Sequence, residues 1–114
     1  MILITRPKEQ SKNLVTVLNL KGYKTYLESL YKIKYFKKKV SYNKNNYYVF
    51  PSIHSVRSLI NSNQINKFRE ANILAIGKKV KLALINAGCK KIILTSTDSD
   101  TLVKKIKKSK FTNY

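Results

Sequence analysis

The chain reads as an α/β protein, a mostly parallel sheet with flanking helices. Three observations predict this. Short runs rich in β-branched and aromatic residues recur along the chain, at Met1 to Thr5, Thr25 to Leu30, Tyr47 to Phe50, Asn72 to Ile76 and Lys90 to Leu94. Segments with helical apolar spacing separate them. Gly22 and Gly88 stand where helices should stop.

Each element has a local reason. Arg6 and Pro7 end the first run, and Pro7 suits a helix entry because its missing N–H costs little there. Leu14, Val15, Val17 and Leu18 give that helix an apolar face, and Thr25 to Leu30 follows Gly22 as a second strand. A strand-helix-strand unit of this size implies parallel pairing. Residues 31–46 change character. Ile33, Tyr35 and Phe36 allow a strand, the Lys37–Lys39 run and the Asn-rich end read as a solvated loop, and a domain boundary or connecting ribbon falls here.

The run YYVFPSIHSVRSLI, residues 47–60, organises the remainder. Pro51 stops the strand, Ser52 suits the N-cap, and Ile53, Val56 and Ile60 recur on one helical face. Ile65 and Phe68 anchor a short helix in an otherwise polar stretch. Gly77 ends the next strand and opens a helix whose core stripe is Val80, Ala83, Leu84 and Ala87. Thr97 with Asp100 resembles a capping box, and Leu102, Val103 and Ile106 support a last helix, after which a basic tail frays.

The 114 residues suffice for one core, and 43% hydrophobic composition predicts folding. The charge is unusual: 24 Lys plus Arg against 5 Asp plus Glu, a net +19. Such a field attracts nucleic acid, anionic membrane or a polyanionic small molecule. Only Arg6, Arg57 and Arg69 are arginines, and the wealth of Lys, Asn, Ile and Tyr suggests drift towards AT-rich codons. Arginine is the usual residue for bidentate phosphate or base contacts, so solvated lysines are favoured over a dedicated nucleic-acid surface. A small basic nucleic-acid-binding α/β module remains the alternative reading. The lone Cys89 fits a reducing compartment, no run approaches the ~20 apolar residues of a membrane span, and the expected localisation is cytoplasmic.

The strand-to-helix turns are where chemistry is expected. Thr5-Arg6, Ser52, Gly77-Lys78 and Thr95-Ser96-Thr97 suit an anion, because helix N-termini present unpaired amides and about half a positive charge. Phosphate-loop and dinucleotide-binding glycine patterns are missing, and one Cys with one His gives no metal-ligand spacing. His54 reads as an exposed polar residue, Cys89 as a small hydrophobe, Asp98 and Asp100 as capping residues, and Tyr47 and Tyr48 as strand packing.

Three stretches together resemble the uroporphyrinogen-III synthase family: ILITRP (Ile2 to Pro7), VFPSIHSVRSL (Val49 to Leu59) and ILAIGKKVKLALINAG (Ile73 to Gly88). The resemblance implies a two-lobed fold joined by a two-stranded ladder. It implies a lyase that cyclises the linear tetrapyrrole hydroxymethylbilane, inverting its last ring and losing water, without metal or cofactor. The substrate's eight carboxylates would be held largely by backbone amides, with Arg6, Ser52 and Gly77 contributing to the cleft wall. Two departures remove hydroxyls: Pro51 and Val80 stand where the family usually has Thr. The match covers about half of a family member. The resemblance therefore implies a partial first lobe over residues 1–31, a nearly complete second lobe over 32–109 and a basic tail over 110–114. It also implies an impaired or inactive enzyme unless a separate chain supplies the other half.

Overall fold

A computed structural model describes residues 1–109. It contains a two-stranded and a three-stranded parallel sheet flanked by four α-helices, the α/β class that the alternation of strands and helices predicts. The chain divides into a first unit, Met1–Lys34, and a second that begins at Tyr35. The tail expected over 110–114 lies outside the described residues.

In the first unit β1 (Ile2–Ile4), α1 (Lys8–Leu20) and β2 (Thr25–Leu27) follow in order, and β1 pairs in parallel with β2 from Ile2↔Thr25 to Ile4↔Leu27. Hydrogen bonds from Glu28 N to Ile4 O (2.9 Å) and Leu30 N to Thr5 O (3.1 Å) carry the pairing on to the expected end of the second run. The inner face of α1 differs from expectation. Leu14 and Val17 are exposed, Val15 and Leu18 half-buried, and the fully buried residue is Ser11. Its hydroxyl donates to the Pro7 carbonyl at 3.0 Å. A pair of three-residue strands offers little apolar surface, so the helix face is set by this polar tie to the turn as much as by its leucines.

In the second unit the order is β3 (Tyr47–Phe50), α2 (Ile53–Asn61), a 3₁₀ turn (Ile65–Phe68), β4 (Asn72–Ile76), α3 (Lys78–Asn86), β5 (Ile92–Ser96) and α4 (Ser99–Lys108). The strands lie in the order β3-β4-β5, all parallel. Helix α2 packs against α3. Val56, Phe68, Ile73 and Leu84 are among the most deeply buried side chains, and Phe50, Val80 and Cys89 complete the same cluster.

Three local expectations are corrected. On α2 the inward residues are Val56 and Leu59, while Ile60 is 47% exposed; the apolar stripe advances by three here, not four. The last strand starts at Ile92 instead of Lys90. Ile73 faces Ile92 and Leu74 faces Leu94, so Ile93 is an extra residue, a bulge within the strand, which runs on to Ser96. No strand forms at Ile33 to Phe36 or elsewhere within residues 31–46. This segment is tied down from Tyr35 onward by side chains instead. Gln64 bonds Val40 N and Lys38 O, and Tyr42 stacks on Tyr48 and meets the Phe68 ring edge-on.

Candidate functional site: the carboxyl edge of the three-stranded sheet

Parallel strands deliver their strand-to-helix turns to one edge. Phe50 is opposite Ala75, and continuing that register by two positions brings Ser52 opposite Gly77. Neighbouring strands are roughly 5 Å apart, so the starts of α2 and α3 are adjacent. On the other side Ile76 faces Ser96, and Gly77 N donates to Ser96 O at 2.7 Å, holding the third turn beside the second.

Gly77 sits at φ +97°, a conformation that L side chains rarely adopt, and caps α3. Its carbonyl accepts from Lys81 N at 3.1 Å. The amides of Lys78, Lys79 and Val80 form the opening turn, where a helix has no internal acceptor for its N–H groups. Val80, at the position where the resemblance expects Thr, is buried core. Ser52 is the N-cap residue of α2 in extended conformation, but its hydroxyl makes no capping bond. Its carbonyl instead accepts from Ser55 N (3.2 Å) and Ser55 Oγ (2.6 Å). The sequence expectation of a Ser52 side-chain cap is thus corrected, because Ser55 folds back onto the turn.

The turns differ in charge, and the difference selects between them. Neither α2 nor α3 has an acidic residue in its first turn, and α3 begins with the exposed pair Lys78-Lys79. At α4 the anion position is already filled. Asp98 is the N-cap and accepts from Thr101 N at 2.7 Å; that hydrogen bond holds its carboxyl below the usual aspartate range. Asp100 lies in the same first turn. The expected Thr97–Asp100 capping box is not formed, and the buried Ser96 hydroxyl donates to Asp98 O at 2.8 Å, facing inward. The Thr95-Ser96-Thr97 turn therefore drops out as a ligand site, leaving the paired starts of α2 and α3.

Arg6 belongs to the first unit, where it follows β1. Its side chain is exposed, with Nη2 3.4 Å from Gln10 Oε1, and its carbonyl accepts from Ser29 Oγ at 3.1 Å. Helix α1 carries Glu9 in its first turn.

Sequence reasoning missed one neighbour of the edge. His54, read as exposed, is half-buried, and its Nδ1 is 2.9 Å from the Tyr35 hydroxyl. Nothing local signals this pairing across nineteen residues. Cys89 is buried, and desolvation pushes its thiol up, which suits packing and not nucleophilic attack. Among the described residues no group of three or more His, Cys, Asp or Glu is placed to hold a metal ion, and no helix is long and apolar enough to cross a membrane.

No protein-family model, curated protein or solved structure matches this chain.

Proposed function

We propose that the chain is a uroporphyrinogen-III synthase-like protein of tetrapyrrole biosynthesis, cytoplasmic, that holds carboxylates of hydroxymethylbilane at the paired starts of α2 and α3. The observation that carries this reading is the contrast among helix ends. Two neighbouring N-termini on one sheet edge lack acidic residues, whereas α1 and α4 already carry carboxylates. In this reading the Ser52 hydroxyl and the first amides of α2 and α3 donate to carboxylate oxygens. Lys78 and Lys79 supply neutralising charge, and Gly77 keeps a side chain out of the approach. Arg6 enters on the sequence resemblance alone.

Holding is separable from ring closure. Two helix starts offer about six amides, too few for eight carboxylates. We therefore propose that this polypeptide alone positions one part of the tetrapyrrole and closes the ring poorly, and that a second polypeptide supplies the remaining donors. The test is to incubate purified protein with hydroxymethylbilane and resolve the isomers. Type III product above the protein-free control, reduced by Lys78→Glu/Lys79→Glu, supports the synthase reading. Type I alone, with no binding of hydroxymethylbilane, refutes it.

A further inference from the structure

The opposite end of α2 carries a different feature. A cleft of about 510 Å³ is lined by Lys37, Lys39, Asn63, Asn66 and Lys67, among others. No carboxylate lines it. Among the described residues of this unit, Glu70 is paired with Lys90 at 3.0 Å, while Asp98 and Asp100 sit at the start of α4. Three lysines therefore line one cleft whose lining contains no carboxylate.

The cleft is held by specific bonds. Gln64 Oε1 accepts from Val40 N at 2.7 Å, and Gln64 Nε2 donates to Lys38 O at 2.8 Å. This two-way clasp fixes the backbone from which Lys37 and Lys39 project. Lys67 Nζ donates to Val40 O and to Gln64 Oε1, which leaves one of its three protons. The end of a helix is ordinarily the poor pole for an anion. Here the Ser58, Leu59 and Ile60 carbonyls already accept from the amides of Ser62, Gln64 and Asn63, with Asn63 at φ +57° making the turn.

We infer that this cleft binds a phosphate-bearing ligand of nucleotide size, with Lys37, Lys39 and Lys67 on the phosphate and the Asn63 and Asn66 amides on the remainder. A phosphate monoester carries about −1.5 to −2 charges at neutral pH and offers three acceptor oxygens, matching three ammonium groups better than a single carboxylate does. The cavity lies within the roughly 300–1,000 Å³ range of small-molecule sites. The site is independent of the carboxylate edge, since nine helical residues, about 13 Å, separate the two ends of α2. A free nucleotide and the backbone of a single-stranded nucleic acid share this chemistry.

The experiment titrates the full chain, ¹⁵N-labelled, with pyrophosphate, with metal-free ATP and with a ten-nucleotide single-stranded RNA. The inference expects saturable shifts confined to residues 37–40 and 62–67. It expects Lys37→Gln/Lys39→Gln to weaken ATP binding by about tenfold or more. Lys104→Gln/Lys107→Gln removes the same charge from exposed positions of α4 and should change binding by less than about twofold. RNA that shifts the same amides and is displaced by pyrophosphate identifies the strand backbone as the source; ATP bound and RNA not bound identifies the free nucleotide. Equal weakening by both lysine pairs, or ligand-induced shifts that bypass 37–40 and 62–67, overturns the inference.

Discussion

Replacing Phe68 by alanine tests how the second unit is held together. Phe68 is 1% exposed, and its ring meets Tyr48, Tyr42 and Phe50 edge-on, with centroids 5.1, 5.5 and 6.4 Å away. It therefore joins three things: the 3₁₀ turn that carries it, strand β3, and the irregular segment around Tyr42. Truncating a buried phenylalanine costs about 3–5 kcal/mol, from lost transfer energy and the cavity left behind. The edge-on contacts add about 0.5–1.5 kcal/mol each to what area alone provides, so the upper part of that range is expected. Domains of this size are stable by only about 5–15 kcal/mol. With a urea slope of about 1–3 kcal/mol per molar, the midpoint should fall by roughly 1–5 M, or the unit should be unfolded without denaturant. Phe68→Leu keeps most of the buried area and should lose less than half as much. The assay is urea unfolding followed by far-ultraviolet circular dichroism and tyrosine emission, since the chain has 8 Tyr and no Trp. A loss below about 1 kcal/mol for Phe68→Ala would mean that Phe68 does not hold the unit together, because such a value belongs to a surface position.

Three further outcomes follow from named contacts. Gly88 lies at φ +94°, and a Cβ built there meets Arg69 Nε at 3.0 Å, so Gly88→Ala should destabilise by about 1–3 kcal/mol in thermal unfolding. The carboxyl of Asp98 is held below its ordinary range by the Thr101 amide, so its contribution is present above the unfolded-state value and lost as pH falls through the folded one. Melting curves of Asp98→Ala and the parent should therefore differ at neutral pH and converge in acid. Cys89 is buried with its thiol pushed up, so a maleimide reagent should label it slowly in the folded protein and rapidly in urea.

What the letters reveal depends on how local the cause is. The four apolar runs ending at Thr5, Phe50, Ile76 and Leu94 mark strands because β-branched and aromatic residues suit a pleated surface; only the central β4 is buried on both faces, while Leu3, Val49 and Ile93 are exposed on β1, β3 and β5. Gly22 and Gly88 mark helix ends because the left-handed turn each adopts is open to few other residues. The position of Ser52 and Gly77 on one edge is legible too, since parallel pairing alone carries both turns there. Long-range or competitive causes are not legible. Whether Leu59 or Ile60 turns inward is decided by how α2 lies on α3. Thr97 and Asp98 are both good caps by type, and only the backbone at Asp98 lets its carboxylate reach Thr101 N. The path of residues 35–46 is fixed by Gln64 and Phe68, far along the chain, and no periodicity in the segment itself announces them.

In the function proposed above, the starts of α2 and α3 act together on carboxylates. Its most direct test is a titration of the ¹⁵N-labelled chain with benzenehexacarboxylate, followed amide by amide. Ile53, Lys78, Lys79 and Val80 should move along one saturation curve, with Lys104 to Lys108 unmoved. Shifts that instead follow the exposed lysines wherever they occur, with the α2 and α3 starts silent, would contradict it.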